Sequence, residues 1–158
     1  HHASKTLALH QAIYSATQGL SPSTRCVIHT HSTHLVALSL RNTPLTTDLG
    51  AELLPPITPY FVMKVGHVPL VRYHRPGSPD AAKEVATLIR QYAAQAAPIR
   101  AVMLSRLGPN VWHNTPAAAM ATLEELEETA RLMLLSPHTT PLNASALDDL
   151  RQTFGARW

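Results

Sequence analysis

The sequence holds a single cysteine, Cys26, which excludes an internal disulfide. Its apolar neighbours Val27 and Ile28 make a buried structural thiol the expectation, in a reducing compartment such as the cytoplasm. No apolar run approaches the roughly 20 residues a bilayer requires, and no signal-peptide pattern occurs, so no membrane partner is expected. Asn143-Ala144-Ser145 matches a glycosylation acceptor, but nothing else in the sequence points to secretion. Aromatic residues are scarce at 5%, and no Lys/Arg-rich run is present. With a net charge of only +3, these absences leave no footing for nucleic acid. Charged residues amount to 15%, and much of the polarity comes from Ser, Thr, Gln and His instead.

What is present is an ordinary globular composition: 158 residues, 45% of them hydrophobic, enough for one compact domain over 1–158. Ser4 is placed to cap a first helix running to Thr17, followed by a turn over Gly19–Thr24. Arg25–Ile28 reads as a short strand and residues 33–41 as a buried helix. Asn42–Thr47 is turn-like, and Asp48–Leu54 reads as a short helix. Pro55, Pro56 and Pro59 bar a long regular element, leaving a short one over Tyr60–Val65. Residues 68–74 read as a strand, and Ser78-Pro79 opens a helix of about 17 residues. Ile99–Leu104 is a further strand, Arg106–Asn110 a turn, and Val111-Trp112 a partner strand. Thr115-Pro116 starts the longest helix, reaching Leu135, with Glu124, Glu125, Glu127 and Glu128 read as a solvated face. Ser145–Phe154 closes as an amphipathic helix. Interleaved strands and helices define an α/β class, and the hairpin-like segments argue against a purely parallel sheet.

The stretch CVIHTHSTH, residues 26–34, is rich in histidine. His29 and His31 are two residues apart, so at the end of a strand they point to one side and can share a divalent cation. The pair sits where a buried strand emerges, a common place for α/β active sites. His34 can approach the same centre if helix has begun there. For a third ligand the sequence offers His10, His67, His74, His113 and several acids. His1-His2 reads as a tag remnant or as natural sequence. The chain is too short for an eight-stranded hydrolase barrel and too helical for a cupin.

RCVIHTHSTHLVALSL, VGHVPLVRYHRPGSPDAAKEVA and AVMLSRLGPNVWHNTPAAAMATLEELEETARL together resemble the class II aldolase/adducin family, in the right order and over almost the whole chain. The VPLVRYHRPGSP stretch and the EELEETA helix look closest to its subgroup of 3-oxo-tetronate 4-phosphate decarboxylases. The resemblance implies a three-layer α/β sandwich with a central, mainly antiparallel sheet, and a tetramer with sites between subunits. It assigns Zn²⁺, or Mn²⁺ or Co²⁺, to His29 and His31. It assigns proton donation in a neighbouring subunit's site to Tyr60. The implied substrate is a phosphorylated sugar acid, decarboxylated to a triose phosphate and CO₂. A sugar-phosphate aldolase or epimerase, or a non-catalytic adducin-like binding or scaffold protein, are the alternatives.

Three departures bear on that expectation. The family's third metal histidine falls on Leu107, which cannot ligate, and the adjacent Arg106 becomes a candidate anion contact. The catalytic glutamate that aldolases carry four residues before His10 is Thr6, which can bind or orient, beside Lys5, which can meet an anion. The family also carries an N-terminal part, with the loops that hold the substrate phosphate, which this sequence lacks.

Overall fold

The computed structural model describes residues 3–41 and 44–158. His1, His2, Asn42 and Thr43 lie outside them, and with them the tag expectation and the start of the expected 42–47 turn. The elements are α1 (Leu7–Ala16), β1 (Cys26–His29), α2 (Thr33–Ser39), β2 (Leu45–Thr47), β3 (Gly50–Glu52), α3 (Pro59–Lys64), β4 (Leu70–Val71), α4 (Pro79–Ala94), β5 (Ala101–Leu104), β6 (Gly108–His113), α5 (Pro116–Leu135) and α6 (Ala144–Phe154).

Strands β1, β6, β5 and β4 lie side by side in that order. The β1–β6 and β6–β5 pairs are antiparallel and β5–β4 is parallel, so the sheet is mixed but mainly antiparallel. Alternation along the strands divides the core in two. Val27, Val102, Leu104 and Trp112 face Leu9 and Ile13 of α1 and Val85 and Ile89 of α4. Ile28, Ala101, Met103 and Val111 face Leu35 of α2, Phe61 of α3 and Leu123 and Leu126 of α5. The sheet is thus the middle of three layers, as the resemblance implies.

Helix starts follow local chemistry. Thr58, Thr115 and Asn143 accept from the backbone N–H of Phe61, Ala118 and Ala146, at 3.1, 3.1 and 2.9 Å. Pro59, Pro79 and Pro116 occupy first turns, where a missing N–H costs nothing. Ser4 does not cap α1; Thr6 stands at that position and the helix begins at Leu7.

The expected 48–54 helix is instead half of a hairpin. Thr46 and Thr47 favour extended backbone, and Gly50, at φ +123°, takes the positive dihedral on entering β3, so β2 and β3 pair antiparallel. The strand expected over 68–74 shrinks to Leu70–Val71 at the sheet edge, because Pro69 cannot donate to a ladder. The turn expected over 106–110 is tighter, and Gly108, Pro109 and Asn110 already belong to β6. Cys26 is half-buried rather than buried.

Candidate active site

His29 ends β1, and its cross-strand partner on β6 is Asn110. By parity with Val27 and Trp112, both point toward α1. His10 on α1 meets them there. The His29 ring is fixed by its Nδ1–H, which donates to the Pro109 carbonyl at 2.9 Å. That tautomer leaves Nε2 with its lone pair free, the arrangement a metal-ligating imidazole needs. The His31 ring stands edge-on, with centroids 5.2 Å apart and planes at 75°. Burial is the largest cause holding His29 below its usual pKa; the Pro109 carbonyl opposes this, while His31 and His10 add to it. Burial likewise lowers His10. The Asn110 carboxamide partly opposes that shift by its nearness. It does not reach hydrogen-bond geometry: His10 Nε2 and both polar atoms of the Asn110 side chain are buried without partners. Such groups are rare in a finished core and normally await a water, an ion or a ligand.

The backbone holds the pair in place through two contacts. At Gly108 (φ +136°), an added Cβ would come within 1.9 Å of the Thr30 carbonyl oxygen, so only glycine lets β6 pass this close to the His29–His31 segment. Behind His31, the Glu127 carboxylate reaches from α5 to the start of α2. It accepts the N–H of His34 and of Leu35 at 3.1 and 3.2 Å, and the His34 ring at 2.8 Å. Glu127 is therefore not part of a solvated face, and His34 is turned to it rather than to His29.

His29 and His31 open into a cavity of about 300 Å³. Lys5 and Thr6, the substrate-contact candidates of the resemblance, line it together with Leu107 and the amino end of α4 at Gly77 and Ser78. Arg75, which no motif singled out, is also on the wall; it follows His74, whose ring is held by Glu84 at 2.8 Å. No Asp or Glu lines the cavity, so Lys5, Arg75 and the helix end give it a positive field. Arg106 lies in an adjoining open cleft that shares His31 and Leu107 with the cavity. Its backbone is left-handed, at φ +67°.

Tyr60 is not brought to this cavity. It is 59% exposed on α3, with the Lys64 amine 5.0 Å above its ring. Among the other histidines, His67 is engaged by Glu52, His74 by Glu84, and His113 stands at the far end of β6. Among the described residues no group of three or more His, Cys, Asp or Glu could hold a metal. The donor set at the cavity is therefore two imidazoles, one protein ligand fewer than an ordinary catalytic zinc site uses.

Residues 1–134 match the family model of the class II aldolase and adducin N-terminal domain. The chain belongs to this family. It is 48% identical, over 98% of its own length, to a 3-oxo-tetronate 4-phosphate decarboxylase of Cupriavidus necator, covering 67% of that protein. It is 37% identical, over 84% of its length, to the protein of the same name from Escherichia coli, covering 55% of it. The crystal structure of YgbL from Escherichia coli, named as a candidate aldolase/epimerase/decarboxylase, superposes with a TM-score of 0.78 at 34% identity, over 93% of this chain and 65% of that one. An L-fuculose 1-phosphate aldolase shares the fold, with a TM-score of 0.69 at 19% identity, over 96% of this chain and 63% of that one. The chain thus spans between about half and two thirds of the curated relatives. No helix among the described residues is long and apolar enough to cross a membrane.

Proposed function

We propose that this chain carries the cation-holding part of a lyase that decarboxylates a 3-oxo-tetronate 4-phosphate to a triose phosphate and CO₂. The observation that carries the reading is the His29 ring, its Nδ1–H given to the Pro109 carbonyl and its Nε2 free beside His31, in a cavity with cations and no carboxylate. The names of the curated relatives support the same chemistry.

In that reaction the bond between the carboxylate carbon and C2 breaks and CO₂ departs. The electron pair stays on C2, delocalised onto the C3 oxygen, and a proton then returns to C2. His29 and His31 would hold a divalent cation, Zn²⁺ or else Mn²⁺ or Co²⁺, which would supply Lewis acidity toward the C3 oxygen. Lys5, Arg75 and the amino end of α4 hold the phosphate end of the substrate. Thr6 orients without acting as a carboxylate base, and Arg106 meets an anionic group entering from the adjoining cleft. The apolar wall of Leu104 and Leu107 keeps bulk water away from the reacting carbon. Tyr60, exposed on its own subunit, gives its proton within the cavity of a second copy. The working form is then a cytoplasmic homo-oligomer, a tetramer by resemblance.

Leu107 in place of a third imidazole favours one alternative, a non-catalytic adducin-like binding protein. Two measurements separate them. Equilibrium dialysis should give about one Zn²⁺ per chain, with affinity falling at least about a hundredfold in His29→Ala and His31→Ala. CO₂ release from a 3-oxo-tetronate 4-phosphate should then follow Zn²⁺ or Mn²⁺ addition. Cation uptake without CO₂ release selects the binding protein, and no uptake at all removes both the cation and the lyase.

A further inference from the structure

A second cavity, of about 190 Å³, lies at the other end of the β1–β6 pair. It is bounded by His113, whose strand partner is Cys26, while His29 pairs with Asn110. At about 3.3 Å per residue, three residues along the strand put its wall about 10 Å from the histidine pair. Arg100 and Arg157 line it with His113 and with Lys64, whose amine lies over the Tyr60 ring; among the described residues no Asp or Glu does.

Two guanidinium groups converge here on one acceptor. Arg100 donates to the carbonyls of Ser21 and Pro22 at 2.9 and 3.2 Å, and Arg157 donates to the same Ser21 carbonyl at 3.4 Å. No acid is paired with either among the described residues. Arg100 is depressed below the usual arginine range, first by burial and then by the Arg157 charge, as two cations in want of a counter-ion would be. Of the five N–H donors of a guanidinium, Arg100 spends two on these carbonyls. The carboxyl ends of α3 and α6 also border the cavity, at Lys64–Gly66 and Gly155. Each helix end brings at most about half a negative charge, so the two guanidinium charges leave an excess of about one.

We infer that the cavity beside Arg100 and Arg157 is a binding site for a phosphate-type oxyanion, separate from the histidine pair and independent of the lyase reading. Its size suits one tetrahedral oxyanion, and paired guanidinium groups match a dianion through forked hydrogen bonds.

The test uses the Lys5→Gln/Arg75→Gln double variant, which removes the cations of the first cavity. Inorganic phosphate is titrated at ionic strength held constant with KCl, and the side-chain Nε–H signals of Arg100 and Arg157 are followed by NMR. Saturable shifts of both signals are expected, with the dissociation constant rising about tenfold or more on adding Arg157→Gln. Arg157 is exposed, so this change leaves the fold intact; Arg100→Lys, which keeps the charge but loses the fork, is a second variant expected to weaken binding. No saturation, an unchanged constant in both variants, or acetate binding as tightly as phosphate would each overturn the proposal.

Discussion

Around His67, the polar atoms are matched. The Glu52 carboxylate, 1% exposed, accepts the His67 Nδ1–H at 2.9 and 3.0 Å and the Tyr92 hydroxyl at 2.7 Å, and the His67 ring stacks on Trp158 at 4.2 Å. Burial first, and the carboxylate second, push the Tyr92 hydroxyl up, so it stays a donor. Around His29 the finish is different. One imidazole nitrogen is anchored, a second ring stands unpaired beside it, and His10 and Asn110 keep buried polar atoms without partners. Two clusters of the same residue type thus serve opposite ends. The first ties β3, the turn before β4, α4 and the chain end together. The second leaves the His29 and His31 rings without a side-chain partner at a cavity wall, with the unpartnered atoms of His10 and Asn110 beside His29.

The sharpest way to break this contrast is Glu52→Ala. It strands the His67 and Tyr92 donors in the interior and should cost about 3–5 kcal/mol in urea unfolding while leaving Zn²⁺ uptake unchanged. A small loss, or a loss of Zn²⁺, would erase the distinction. Glu127→Ala lies between the two clusters in kind, since Glu127 caps α2 immediately behind His31. A cost of about 1–2 kcal/mol is expected, with a weaker hold on Zn²⁺ that Glu127→Gln partly restores. Leu107→His works in the other direction. A third imidazole at the shared wall of cavity and cleft should tighten Zn²⁺ about tenfold in a chelator competition; no change would mean that position 107 does not face the pair.

The smallest effect is one of pH. His10 and His29 are held below 6.5 by burial. The unfolded chain therefore binds more protons than the folded one as pH falls past 6.5, and stability declines from there down to the folded midpoints. NMR titration of the metal-free protein should give midpoints for both rings below 6.5, and calorimetry a shallow fall in melting temperature over that window. A rise in stability on acidification would reverse the assignment of these rings as desolvated.

Much of this was legible beforehand. The cap at Thr115, the proline-led helices and the apolar β1 and β5 are local, so propensity and turn chemistry located them; Ser78 holds the cap position of α4 without a side-chain bond. The HxH spacing marked the pair, but only His29 lies on β1; His31 stands in the loop before α2 and meets the first ring edge-on. Other features were not legible, and each joins distant segments. Asp48–Leu54 became a hairpin strand once Glu52 found His67 and Tyr92, 15 and 40 residues away. Glu127 looked like one of four exposed acids until α2 met α5. Asn110 carried a faint signal only in hindsight: its register against His29 is invisible until β1 and β6 are known to pair. Arg75 carried none.

The sequence by itself determined most of the elements outside the β2–β3 hairpin and the spacing of the two imidazoles, because periodicity, capping and residue spacing act over a few residues at a time, and its ordered motifs carried the family resemblance. The tertiary structure alone decided which histidines are spent and which stay available. That depends on the partner each ring meets across the fold: Glu52 for His67, Glu84 for His74, Glu127 for His34, and for His29 a single backbone carbonyl that leaves its second nitrogen open.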